Sequence, residues 1–135
     1  MIEKVTLQMT GNGKFRGADG TGCETMNPKE LLLYAAAQCS AQTAMLIMRK
    51  ERVAPKGFEI SCSGELSTEE LQPESVFTSF HVVYNVECGS EEDQAKVSRA
   101  IRLTHEKHCG MMQMLRRIAP VSHEVAVVST EPAKA

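Results

Sequence analysis

The sequence predicts an α+β chain in which antiparallel strands surround one long central helix. Three observations carry that expectation. Apolar residues recur at period two in separate stretches, a capped and strongly apolar helix follows the first of them, and an amphipathic helix with an acidic first turn follows the last hairpin.

Val5, Leu7 and Met9 alternate with polar neighbours and run into Gly11-Asn12-Gly13, a strand ending in a tight turn, with Lys14 to Gly17 as its returning partner. A second turn, Gly17-Ala18-Asp19-Gly20, precedes Gly22-Cys23-Glu24-Thr25, so the first third reads as a small antiparallel meander with Cys23 in a strand. Asn27-Pro28-Lys29-Glu30 then opens a helix: Asn accepts from an orphan N–H, Pro suits the first helical position, and Glu closes a capping box. That helix runs to Glu51 or Arg52 and is stopped by Pro55-Lys56-Gly57. Its first half is apolar on nearly every side, which places it in the middle of a structure, covered by sheets or by a partner chain.

Phe58, Ile60, Cys62 and Leu66 line one face of a half-buried strand. After a polar loop at Gln72-Pro73-Glu74, Phe80, Val82, Tyr84, Val86 and Cys88 line one face of its hairpin partner. Ser90 caps a second helix whose acidic first turn suits the macrodipole and whose stripe is Ala95, Val97, Ala100, Ile101 and Leu103. Gly110 interrupts it near Cys109, a short helix covers Met111 to Arg117, and Val121 to Val128 closes the fold as a strand. Residues 1–135 form a single domain, with Thr130 to Ala135 as a frayed tail.

Composition narrows the function. With 15 basic and 17 acidic residues the formal charge is −2, which gives no footprint for nucleic acid or an anionic membrane. The N-terminus, Met1-Ile2-Glu3-Lys4-Val5, has no secretory pattern, so a cytoplasmic protein is expected. The longest apolar run is broken by Gln38, Ser40, Gln42 and Thr43, too short for a bilayer span. Five cysteines form an odd set, which argues against a disulfide scaffold in a reducing compartment. With no Trp, four Phe and two Tyr, aliphatic side chains and eight Met must fill the core.

Two of the cysteines invite chemistry. Cys39 lies in the apolar helix, where packing is the plainer role and activation needs an external cation. Cys109 lies in His105-Glu106-Lys107-His108-Cys109-Gly110, where a helix break sets it beside a new N-terminus and basic neighbours. Cys23, Cys62 and Cys88 read as structural. His105 and Cys109 have the spacing of two helical metal ligands, and Cys39 with His108 would complete a zinc set, but no CxxC or HExxH pair supports it and neither metal nor cofactor is expected. His81 and His123, on strands, have no catalytic context.

The order of elements, Asn27-Pro28-Lys29-Glu30-Leu31 leading through an Ala-rich run to Cys39, and Glu106-Lys107-His108-Cys109 opening the second cysteine segment resemble the OsmC/Ohr family of osmotically inducible and organic-hydroperoxide-resistance proteins, closest to its YhfA-like branch. The resemblance implies an intertwined homodimer with the Cys39 helices central and two sites at the subunit interface. It implies a two-cysteine thiol peroxidase in which Cys39 attacks an organic hydroperoxide or hydrogen peroxide and Cys109 resolves the sulfenic acid to a disulfide. Arg16 matches the N-terminal arginine that stabilises the thiolate, and an external dithiol, a lipoylated protein in the family's usual case, is the reductant. Lys29 stands where hydroperoxide-resistance members carry an acid, and Gly110 where the family often has Pro. The alternative is the same dimer binding a small hydrophobic ligand without peroxidase turnover.

Overall fold

The computed structural model describes residues 1–11, 13–20 and 22–130. In chain order the elements are β1 (Ile2–Met9), β2 (Phe15–Gly17), a 3-10 turn (Cys23–Thr25), α1 (Pro28–Lys50), β3 (Gly57–Leu66), β4 (Phe77–Cys88), α2 (Glu91–Leu103), a π-helical turn (Thr104–His108), α3 (Gly110–Ile118) and β5 (Val121–Ser129). The five strands make one mixed sheet in the order β2-β1-β3-β4-β5. The class is α+β as expected, with one correction. β5 pairs parallel to β4, Phe80 opposite Val121 through Cys88 opposite Ser129, because α2, the π turn and α3 form the crossover that brings the chain back in the same direction.

Alternation decides which face of the sheet is covered. Val5 and Leu7, Phe58, Ile60 and Cys62, and Phe80, Val82, Tyr84 and Val86 are all buried against the helices. The opposite face carries polar ladders: Thr6 Oγ1 lies 2.9 Å from Ser61 Oγ, and Gln8 Nε2 donates to Glu59 Oε2 at 2.9 Å. At the far edge β5 is mostly exposed, Val128 included.

The start of α1 follows the sequence signal. The Glu30 N–H donates to Asn27 Oδ1 at 2.9 Å, and the Asn27 N–H donates back to Glu30 Oε1 at 3.2 Å. Its end is a Schellman motif. The Arg52 N–H donates to the Arg49 carbonyl and the Val53 N–H to the Met48 carbonyl, with Arg52 left-handed at φ 59° and Val53 and Met48 both buried. A salt bridge of 2.6 Å between Arg99 and Glu51 ties α2 to this end.

By length and composition α1, with 23 residues, is sufficient to cross a membrane, so the span argued too short from the sequence is long enough. Its place is nevertheless the core: Leu33, Ala36, Ala37, Ser40, Ala41, Ala44 and Met48 are buried against the sheet and the other helices. Small residues dominate that face, which lets the helix approach the strands closely.

Two local expectations change. Cys23 lies exposed in the 3-10 turn rather than in a strand, since Gly22 and Thr25 offer no alternating apolar partner. Thr130 is tied to the sheet, its N–H donating to the Cys88 carbonyl at 3.0 Å and its hydroxyl accepting from Lys56 Nζ at 3.0 Å. The rest of the expected tail, 131–135, and Asn12 of the first turn lie outside the described residues.

Candidate active site

Cys39 lies half-buried in the middle of α1, and its carbonyl accepts from Thr43 Oγ1 one turn later at 2.8 Å. Cys109 is fully buried and occupies the capping position before α3. The two side chains come close enough to interact, and the Cys39 thiol disfavours the anion of Cys109. An accessible thiol therefore faces a sheltered one.

A wide turn delivers Cys109. The N–H of Cys109 donates to the Thr104 carbonyl at 2.9 Å, closing a five-residue π ring, and Thr104 Oγ1 donates to the Ala100 carbonyl at 2.7 Å. A π turn leaves carbonyls without their usual partners, and side chains of α3 take them. Gln113 Nε2 donates to the Glu106 carbonyl at 2.7 Å, and Arg116 Nη2 donates to the His105 carbonyl. The turn is thus fastened to α3 from both carbonyls.

Burial raises the Cys109 pKa above the ordinary thiol range; the N–H of Met112 opposes this, the Cys39 thiol adds to it, and the N–H of Met111 opposes it again. Both amides belong to the first turn of α3, so the helix break expected at Gly110 does place this thiol in a field that favours its anion. Cys62, on β3, is pushed up to about 12 by burial, with Cys109 adding to the effect. Cys88 is raised by burial and then by Asp93, and its thiol donates to the Val128 carbonyl at 3.3 Å, which fits a packing role.

Behind the thiols runs a buried polar chain that periodicity does not announce. Ser40 Oγ lies 2.8 Å from Tyr84 OH, and Tyr84 OH lies 2.7 Å from His105 Nδ1. All three residues are sealed from solvent. The Tyr84 and His105 rings meet edge-on at 5.6 Å, and His105 stacks on His123 at 4.1 Å. Burial first, then His123 and Arg116, lower the His105 pKa to about 4, so the ring is neutral near pH 7. Burial drives the Tyr84 phenol well above its usual range.

Arg16 is not part of this gathering. It is exposed on β2, opposite Gln8, on the polar face of the sheet, while α1 covers the other face; within one chain it does not reach Cys39. Strand alternation is the reason, since Phe15 and Gly17 take the inward positions. Lys29 also points elsewhere, donating to the Pro73 carbonyl at 3.4 Å. Among the described residues no three His, Cys, Asp or Glu side chains gather as metal ligands, and His105 Nδ1 is already engaged by Tyr84.

The profile of the OsmC-like protein family matches residues 19–124, a span that includes both cysteines. This chain belongs to that family. Protein YhfA of Escherichia coli strain K12 is 29% identical over 109 residues, covering 81% of this chain and 78% of the relative. An OsmC-like protein from Mycoplasma pneumoniae superposes with a TM-score of 0.62 at 14% identity, covering 95% of this OsmC-like chain and 96% of that one. The organic hydroperoxide resistance protein OhrB of Bacillus subtilis gives 0.56 at 16% identity, with 91% and 97% covered. At such identities the superpositions establish the fold.

Proposed function

We propose that this OsmC-like protein is a two-cysteine thiol peroxidase acting on organic hydroperoxides or hydrogen peroxide. One observation carries the reading: two thiols from distant parts of the sequence, one half-buried on α1 and one buried at a helix N-terminus, come close enough to interact. Family relatives that bear the name of hydroperoxide resistance support it.

In this reading the Cys39 thiolate attacks the outer peroxide oxygen, the O–O bond breaks, and the alkoxide leaves to take a proton as an alcohol. Cys39 becomes a sulfenic acid. The Cys109 sulfur then attacks the Cys39 sulfur, the oxygen departs as water after taking the Cys109 proton, and a disulfide remains. Two thiols have supplied the two electrons that reduce the peroxide. An external dithiol, with a lipoylated protein as the candidate, restores them by exchange.

The working form in this proposal is a homodimer. Leu31, Ala35, Cys39, Gln42 and Leu46 recur at three- and four-residue intervals, so the reactive thiol opens on an outward stripe of α1 where Leu31 is 39% and Leu46 55% exposed. Five free cysteines suit the reducing cytoplasm.

The test is stopped-flow peroxide decay with dithiol in excess. Cys39→Ser is expected to lose consumption at least a hundredfold, because the nucleophile is gone. Cys109→Ser should still form a sulfenic acid that dimedone traps, with no intramolecular disulfide. Consumption unchanged in Cys39→Ser would refute the assignment.

A second reading is the same dimer holding a small hydrophobic ligand along that stripe. It is favoured by the placement of Arg16 and Lys29, neither of which delivers a positive charge to Cys39 within one chain. Native mass spectrometry distinguishes the two: a retained apolar ligand with no Cys39–Cys109 bridge after peroxide is the binding outcome.

A further inference from the structure

We infer that Tyr84, braced by Ser40 and His105, is a positioning residue that sets how readily the Cys39–Cys109 pair closes. The inference rests on the thiol-pair reading above. Ser40 is the immediate neighbour of Cys39 on α1, and His105 lies in the π turn that Cys109 closes. Tyr84 stands between them on β4, a strand paired on both sides, with its hydroxyl 2.8 Å from one and 2.7 Å from the other. A single hydroxyl therefore links the two segments that carry the sulfurs.

A disulfide tolerates a narrow range of geometry, with Cα atoms about 4.4–6.8 Å apart, so a small shift between α1 and the turn changes the strain of the bond. Strain appears directly in the balance between dithiol and disulfide. The brace is stiff because its members are sealed from solvent, where an unpaired polar group has no water to turn to. Arg116 holds the His105 carbonyl as well, so the imidazole has little freedom to leave its partner. Removing the Tyr84 hydroxyl strands two groups at once. Ser40 then has the option of bonding back to a carbonyl of its own helix, whereas His105 does not, and the turn must shift.

The experiment is an equilibrium, independent of peroxide turnover. Full-length protein is poised in glutathione buffers of graded ratio, quenched with acid, alkylated, and the Cys39–Cys109 disulfide is quantified by peptide mass spectrometry. Tyr84→Phe is expected to disfavour the disulfide about tenfold, or about 30 mV for a two-electron couple. Ser40→Ala gives a second variant with a smaller shift in the same direction. His105→Leu should match Tyr84→Phe, whereas His105→Asn, which keeps an acceptor where Nδ1 stands, should remain within twofold of the parent.

Phe77→Leu, at the far end of β4 against Phe80, is the control for lost stability alone and should leave the equilibrium unchanged. Near-UV circular dichroism confirms that each variant is folded under the assay conditions. An equilibrium within twofold of the parent in both Tyr84→Phe and His105→Leu overturns the proposal, as does an equal shift in Phe77→Leu. A parent that forms no Cys39–Cys109 disulfide at any ratio also overturns it, since there is then no pair to set. A parent that forms the bond yet consumes no peroxide refutes the peroxidase reading alone.

Discussion

His105 has to stay uncharged to keep its place, and that gives the protein a pH dependence. Its pKa falls from the ordinary 6.5 to about 4, chiefly through burial. The sign follows from proton counting. Below 6.5 the unfolded chain binds a proton on this ring that the folded chain refuses until about 4, so stability is full above 6.5 and declines as the pH falls through that window. The expected loss by about pH 5 is roughly 2 kcal/mol, read from urea midpoints, and His105→Asn should flatten the slope between about pH 6.5 and 5. An unchanged slope in that variant would assign the dependence to other groups. The two thiols were legible in the sequence because each sits in a distinctive local context, an Ala-rich helix or a basic turn. Ser40, Tyr84 and His105 were not, because their connection exists only after three separate elements pack together. Arg16 shows the converse: an N-terminal arginine is visible in the sequence, but the strand face on which it falls decides what it reaches within its own chain.

Elements were recoverable where capping and alternation act locally. The Asn27–Glu30 box, the Ser90 cap and the inward rows of β3 and β4 all follow from neighbours within a few residues. The direction of β5 did not follow, since alternation is the same in parallel and antiparallel strands and only the crossover decides. Nor did the π turn, whose single extra residue per ring leaves no compositional trace. The C-terminus of α1 invites a substitution. Arg52 adopts a left-handed conformation that costs a residue with a side chain about 1–2 kcal/mol, part of which glycine returns through its greater freedom when unfolded. Arg52→Gly is therefore expected to stabilise the protein by roughly 0.5–1 kcal/mol, seen as a higher urea midpoint with an unchanged slope. A lower midpoint would show that the arginine side chain matters more than its backbone.

For the molecule as a whole, the apolar surface left on α1 is the leading fact. Leu31 and Leu46 stand out on the stripe that also carries Cys39, and Val128 at the sheet edge and Ile118 on α3 are open as well. If a second copy covers that stripe, sedimentation equilibrium at micromolar concentration will give twice the mass of one chain. Leu46→Glu, placing a charge in the contact, should then weaken association more than tenfold, in line with a desolvation cost above about 1.4 kcal/mol. A single-chain mass for the parent protein would remove the dimer from the proposal. The sequence foreshadowed this through a helix too apolar for one small chain to cover, though which residues remain open became clear only once the sheet had claimed its side.

The parallel pairing of β5 has a consequence for biogenesis. Its partner β4 is complete well before residues 89–120 have been synthesised, and the last strand finds its seat only after that whole excursion has folded back. Such distant contacts assemble late. A nascent chain leaving the ribosome thus carries Cys39 for some time without its companion, which arrives only with the crossover between β4 and β5.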